Sequence, residues 1–384
     1  MGLETPMPDS PPAAEAAPST QANIPGLLLT LLAIMLLLYS GDRFLAQLEQ
    51  RELRQAARRE FEAGIALRKQ GNPAAAIVHL RQAHTLVRGD PEYALALADA
   101  QIADRHTEGA RRILDGLLAA DPNDARANLL TAHLMVSEGQ FATANSYYHR
   151  AIYGTWPADS AQSRLTARLE LAQMLADHGS PQELLSETLA LEDSAPESVD
   201  LMKKIAPLLL RAGSGARAAA AYNFLLQQNR SAASYLGLGQ AELEIGDYRA
   251  AQSAFSSALE LSPNDPFLEG QMSRAGRLAD LDPTPRYLTS REKFARSSQV
   301  LELTKADIAS CLEGKSPSAA VRSGLTEADR LLSESVGSVV TNEQAEERLG
   351  LAESLWAARP SVCRTPPSDY DPVPLIMSKL HSTK

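Results

Sequence analysis

"SYLGLGQAELEIGDYRAAQSAFSSALELSPNDP", residues 234–266, sets small and large apolar residues at fixed intervals and ends in proline. In a 34-residue frame starting at Ala232, the positions four, seven, eight, fifteen, twenty, twenty-four, twenty-seven and thirty-two hold Tyr235, Leu238, Gly239, Gly246, Ala251, Phe255, Ala258 and Pro263. These intervals predict two helices joined by a turn. Leu238 and Gly239 sit on the first helix, where the missing side chain of Gly239 lets the second come close. Gly246 ends the first helix in a left-handed cap at no steric cost. Phe255 and Ala258 share one face of the second helix, and Pro263 stops it. Each pair keeps an apolar flank that it cannot bury alone, so such units must stack.

The frame recurs upstream. A unit from Ala57 has Gly64, Gly71, Ala76, Leu80 and Ala83 in register, with Pro91 slightly late. One from Pro91 has Leu97, Ala98, Ala110, Leu114 and Pro122; one from Ala125 has Ala132, Gly139, Ala144, Tyr148 and Ala151. After the insertion "PADSAQ", a degenerate unit starts near Leu165, with Ala172, Gly179 and Pro196, but Leu184 where a small residue is expected. A fifth starts near Val199, with Ala206, Gly213 and Tyr222, and is interrupted by Pro207 and "QQNR".

This order of residues resembles the tetratricopeptide repeat, over roughly residues 57–265. The resemblance implies an all-α, right-handed superhelical solenoid of helix-turn-helix pairs, with a concave groove that binds protein or peptide. In that family, helix A positions two, five, nine, twelve and thirteen line the groove. Carried over, they are Arg58, Phe61, Ile65, Arg68 and Lys69 in the first unit, and Glu92, Leu95, Asp99, Ile102 and Ala103 in the second. The third unit has Arg126, Leu129, His133, Val136 and Ser137; the last has Ala233, Leu236, Gln240, Leu243 and Glu244. Such a groove is basic at its N-terminal end and acidic at its C-terminal end, and suits a peptide with acidic and apolar groups. The alternative is that the apolar members only pack neighbouring helices. The chaperone-tail-binding subtype has Lys and Asn where this chain has Phe61 and Ile65, which argues against a carboxylate clamp of that kind.

Composition agrees with helix. Ala and Leu dominate the 44% of hydrophobic residues, and aromatics are only 5%. A net charge of −10 argues against a broad nucleic-acid surface. Two cysteines, Cys311 and Cys363, exclude a disulfide-rich scaffold and a four-cysteine metal site. We read them as two unpaired thiols, one in a helix and one in a tail; a single disulfide is the alternative.

Residues 1–23 are rich in Pro, Ala and Ser, lack Lys and Arg, and read as disordered. "IPGLLLTLLAIMLLLY", Ile24–Tyr39, has eight leucines and no charge. At roughly 1.5 Å per residue it nearly matches a ~30 Å hydrocarbon core. It lacks the basic region and small-residue site of a cleaved signal and the cysteine of a lipoprotein signal, and so reads as an uncleaved single-pass anchor over residues 24–40. Residues 41–56 continue it as a helical stalk. The expected location is a bacterial inner membrane. Arg43, Arg51, Arg54, Arg58 and Arg59 follow the span and only Glu4, Asp9 and Glu15 precede it, which favours a cytoplasmic C-terminal bulk; a periplasmic one is the alternative. Beyond the repeats, helices are expected at 267–283, 289–313, 324–338 and 341–359, making a helical cap over 266–360, with a disordered tail over 361–384.

The motifs for chemistry are weak. "ASCLEGKS" (309–316) matches a permissive phosphate-loop pattern, but lacks interior glycines and a preceding strand, and Pro317 follows at once. "GSGARA" (213–218) mimics a dinucleotide turn but falls between two repeat helices. His79 and His84 fall on different faces of a helix, and His133 and His149 lie on different helices. The expectation is therefore a non-enzymatic scaffold without metal or cofactor, which binds another protein and serves assembly of a membrane or envelope complex. An enzyme accessory or catalytic unit using residues 284–384, and a self-associating scaffold, are the alternatives.

Overall fold

A computed structural model of the chain describes residues 24–157, 160–194, 197–312, 317–334, 340–363, 366 and 371–382. The expected disordered tail 1–23, and Gly314, Lys315 and Ser316 of the phosphate-loop pattern, lie outside them. The described residues divide into two compact units, residues 1–117 and 118–384. Their structure is helical, with one isolated bridge between Asp124 and Thr155.

The first unit begins with α1 (Ile24–Lys69), one uninterrupted helix that carries the apolar segment, the stalk and the first helix of the first repeat. Its N-terminal part is long and apolar enough to cross a membrane, and Leu28 to Tyr39 are exposed. Then follow α2 (Pro73–Leu86), α3 (Pro91–Ala103) and α4 (Thr107–Ala120). Asn72 caps α2 and Asp90 caps α3, each accepting from a backbone N–H of the first turn, with proline at the first helical position. Phe61, Ile65 and Leu67 of α1 close over a core of Ala76, Ile77, Leu80, Leu97 and Ala100.

The second unit repeats the pairing with α5 (Ala125–Ser137) and α6 (Phe141–Tyr153), α7 (Ser160–His178) and α8 (Pro181–Ser194), α9 (Val199–Arg211) and α10 (Gly215–Gln228), and α11 (Ala232–Ile245) and α12 (Tyr248–Leu261). The fold class is the all-α solenoid of stacked helix pairs that the spacing predicts. Frame position eight is buried in all six pairs, as Gly64, Ala98, Ala132, Ala172, Ala206 and Gly239. Facing it at position twenty are Ala76, Ala110, Ala144, Leu184, Ala218 and Ala251, all buried. A Cβ on Gly239 would lie 2.4 Å from Phe255 Cε1, so the larger ring is admitted only because its partner has no side chain. Pro207 does not end α9; the helix runs through it, with the ring on the exposed side.

Position fifteen makes a left-handed turn in five of the six pairs; Gly179, at this place in the fourth, does not adopt it. Gly71, Gly139, Gly213 and Gly246 all have positive φ, between 72° and 84°. In the second pair this place is taken by Arg105, which adopts the same left-handed conformation at φ 60°. The turn geometry is therefore imposed by the helix packing, and a side chain is forced into a region that costs it about 1–2 kcal/mol.

Past the repeats come α13 (Pro266–Leu281), α14 (Ser290–Cys311), α15 (Ala319–Ser333), α16 (Asn342–Val362) and α17 (Val373–Ser382). Thr289 with Glu292, and Thr341 with Gln344, form reciprocal capping boxes on α14 and α16. One core joins the last repeat to this bundle: Tyr248, Leu278, Leu281, Val300, Leu301, Leu331, Leu355, Ile376 and Leu380 are members. Two expectations are corrected here. The tail expected to be disordered from residue 361 contains α17, whose Val373, Ile376, Met377 and Leu380 are buried on one helical stripe. Lys379 anchors it, donating to Gly246 O (2.7 Å) and pairing with the buried Asp282 carboxylate (2.6 Å), while the Tyr248 hydroxyl donates to Leu375 O. The cysteines expected to be free form a disulfide. α14 and α16 lie side by side in the same direction, with Arg348 over the Phe294 ring near their beginnings (4.2 Å) and Arg359 paired to Asp307 farther along (2.7 Å). Their ends converge, bringing Cys311 and Cys363 to a Cα–Cα distance of 5.1 Å, within disulfide range.

Substitutions at three positions test this packing by chemical unfolding. Arg105→Gly relieves the left-handed strain and is expected to raise stability by roughly 0.5–1 kcal/mol, whereas Arg105→Val lowers it. Gly239→Ala is expected to cost about 1–3 kcal/mol through the clash with Phe255. Gly270→Ala, in a helix with nothing within 4 Å of the added atom, is expected to gain up to about 1 kcal/mol.

Candidate functional site

The candidate residues lie on the first helices of their pairs, α1, α3, α5 and α11. In the first unit, Phe61 is half-buried and its ring lies 5.0 Å from that of Tyr93, tilted by 39°. Arg68 pairs with Asp99 through Nε at 2.9 Å, joining α1 to α3 with both groups more than a third exposed. Arg58 is fully exposed and pairs with Glu62 one turn on, at 2.9 Å, and Lys69 is exposed at the helix end. Leu95 is different: it is buried, and offers packing rather than contact surface. Burial, with the nearby carboxylates of Asp90 and Glu92, raises the Tyr93 phenol above its ordinary range.

In the second unit, His133 Nε2 lies 2.7 Å from Glu170 Oε2, linking α5 to α7, and its ring meets the buried Tyr148 edge-on at 6.0 Å. Burial above all, and then Glu170, push the Tyr148 phenol well up. Leu129, one turn before His133 on α5, is half-buried. Arg126 is 3.6 Å from Asp124, the residue that caps its own helix. Arg211 of α9 bonds both Ala176 O and Asp177 of α7. Gln240 is half-buried, and Glu244 is exposed while accepting the Gly215 N–H; partial burial raises its carboxyl. Half-exposed pairs of this kind contribute only about 0.2–1 kcal/mol each to stability. Their larger effect is to hold charged groups in fixed positions.

The sequence pattern did not single out Glu170, Asp177 or Arg211, which extend this face across the degenerate fourth and fifth pairs. Nor did it mark Tyr153, Arg164 and Arg168, on another side of the second unit. The insertion after α6, which departs from the repeat length, was the available signal for the latter.

Elsewhere the weak motifs resolve structurally. Gly213 to Ala218 form the turn and first residues of α10, where a Cβ on Gly215 would lie 3.1 Å from Ala241 O. Asp307, Cys311 and Cys363 bring three potential metal-binding atoms within 4.8 Å of one another. However, the two sulfurs are joined in a disulfide and the carboxylate is held by Arg359, so none is free as a ligand donor.

Comparisons with known proteins agree with the helix pairs. Residues 67–134 and residues 203–266 each match a family profile described as tetratricopeptide repeat. No curated protein sequence matches the chain. Among solved structures, a PilW described as a widely conserved type IV pilus biogenesis factor is 14% identical, with a TM-score of 0.43, covering 56% of this chain and 97% of its own. PilF of Pseudomonas aeruginosa is 17% identical, with a TM-score of 0.43, covering 58% of this chain and 99% of its own. The P58(IPK) tetratricopeptide domain is 13% identical, with a TM-score of 0.28, covering 85% of this chain and 99% of its own. The two profile matches, over residues 67–134 and 203–266, and the six helix pairs with small residues at their crossing points show that this chain carries tetratricopeptide repeats.

Proposed function

We propose that this protein is a membrane-anchored, non-catalytic scaffold that binds a partner protein on the helix-A faces of its repeats. The observation that carries the reading is the treatment of charge on those faces. Arg68 with Asp99, and His133 with Glu170, are held in place yet half-exposed, beside half-buried Phe61 and Leu129. Fixed polar groups around partly exposed apolar side chains are what a protein-binding surface requires. Assembly of a membrane or envelope complex is the use such an anchored scaffold would have.

We further infer that the bulk of the chain lies on the oxidising side of the membrane, the periplasm of a bacterial inner membrane. The arginine excess after residue 40 argues for the opposite side. The support is the Cys311–Cys363 disulfide, a bond that cytosolic thiols would keep reduced. It closes a long loop, and its loss is expected to cost about 2–5 kcal/mol.

Charge reversal of Arg58, Arg68 and Arg126 to Glu tests the scaffold reading. Affinity capture from detergent extract should lose a specific co-purifying protein while the melting temperature holds. Unchanged capture sinks the reading, and light scattering of the same preparation shows whether that partner is a second copy. Sidedness is tested by C-terminal fusions and by thiol tagging of the full chain. The expected result is an active alkaline phosphatase fusion, a dark green fluorescent protein fusion, and no maleimide tag until reductant is added. Two tags without reductant, with a bright fluorescent fusion, would return the bulk to the cytoplasm.

A further inference from the structure

The inter-repeat insertion after α6 builds a feature that stacking of the pairs does not need. Tyr153, the last residue of α6, is 73% exposed, more than any of the large apolar residues from Leu28 to Leu53 of α1. An exposed tyrosine is ordinarily free to turn, but this one is held. The Arg168 guanidinium donates to its hydroxyl at 3.2 Å and lies 5.8 Å from the ring centroid. On another side the His149 ring lies near-parallel to it at 6.3 Å. Glu187 of α8 lies between the two supports, its carboxylate 3.4 Å from Arg168 Nε and 3.8 Å from His149 Nε2, within ion-pair range of both.

The backbone beneath is equally determined. Thr155 donates to Asn123 O at 2.8 Å and accepts from the Ala125 N–H, and the Trp156 indole donates to Ala151 O. Gly154 fits between them because a Cβ there would lie 2.6 Å from Arg150 O and 2.7 Å from Asn123 O. α7 begins at Ser160, about one turn before its repeat frame, and that extra turn carries Arg164.

Tyr153 thereby stands between two hollows. One, of about 620 Å³, has an apolar lining of Ile152 and Leu165 with Arg164 and Arg168 beside it. The other, of about 450 Å³, is lined by Pro122, Asn123, His149 and Arg150. Among the described residues, Arg150 and Arg164 have no carboxylate partner. In a chain of net charge −10, this is a local concentration of positive charge around a rigid aromatic side chain.

We propose that this edge of α6 and α7 is a second recognition surface, distinct from the helix-A faces, which takes an acidic segment of a partner protein. An apolar side chain of that segment would enter the Ile152–Leu165 hollow, Tyr153 would pack against its backbone, and its carboxylates would pair with Arg164 on one side and Arg150 on the other. Rigid tyrosine and arginine side chains beside hollows are the residue types that carry most of the energy at protein interfaces. Charge complementarity selects the acidic partner.

The test is fluorescence anisotropy of the detergent-solubilised full chain with three labelled short peptides. One alternates glutamate and leucine, the second has lysine for glutamate, and the third has serine for leucine. The first is expected to bind, to weaken with added salt, and to lose at least roughly tenfold in affinity with Arg164→Glu and with Tyr153→Ser. The lysine and serine peptides are expected to bind at least that much more weakly. Arg164 is exposed, so its reversal should leave the thermal unfolding curve in place. The helix-A triple charge reversal should leave binding unchanged. If that triple variant loses the peptide while Arg164→Glu keeps it, the proposal falls and the helix-A reading stands. Equal binding of all three peptides, or no binding of the first, also overturns it.

Discussion

Each helix pair is held at a crossing where side chains are small or missing. Gly64, Ala98, Ala132, Ala172, Ala206 and Gly239 occupy one side of that crossing, and every one is buried. Close approach of two backbones lets Leu80, Leu114, Tyr148, Tyr222 and Phe255 fill the space one turn farther along, all of them buried as well. Because interiors tolerate neither voids nor overlap, this one geometry fixes how the pair can stack on the next. It also fixes which face of each first helix is left over. The turn between the helices follows from it, as Arg105 shows by adopting a backbone conformation that glycine takes in four other pairs.

A stack of such pairs has an open end, and here the end is closed by polar chemistry as much as by apolar burial. Asp282 is buried and fully engaged, by the Thr284 N–H and hydroxyl and by Lys379 from the far end of the chain. Arg348 is 1% exposed, lies over Phe294, and donates to Leu331 O and Gln344 O. Ions so far from water are costly unless paired and hydrogen-bonded; Asp282 is satisfied on both oxygens, whereas Arg348 bonds through its terminal nitrogens and leaves Nε without a hydrogen bond. The disulfide then joins the ends of α14 and α16. A bond of this kind persists in oxidising surroundings and is rare where cellular thiols keep cysteines reduced.

Surface chemistry follows the same division between repeat and departure from repeat. Where the pattern holds, the leftover faces carry charges paired from helix to helix, contributing little to stability and much to orientation. Where it is broken, by the insertion between the third and fourth pairs, a tyrosine is held out from the surface by an arginine, a histidine and a shared glutamate. The repeat provides rigidity, and the insertion uses it to present a group that stacking would have buried.

The pairs, their turns and their crossing points were legible in the sequence because they depend on side-chain size at short, regular separations. Gly239 and Phe255 are 16 positions apart in every reading of the chain. The apolar segment of α1 was legible for a similar reason, since composition alone determines it. Long-range partners were not. Cys311 and Cys363 are 52 residues apart, and read as free thiols until α14 and α16 are seen to run side by side. The stretch after residue 360 looked unstructured because its prolines and polar residues outweigh one short apolar stripe, and that stripe is stable only against Tyr248, Leu278 and their neighbours. Leu95 stood at a groove position by its number in the frame and is buried by what packs over it. Local spacing thus determined the repeating unit, whereas the closure of its end, the pairing of its cysteines and the exposure of Tyr153 were decided by tertiary structure, because each depends on groups that the chain brings together only after it has folded.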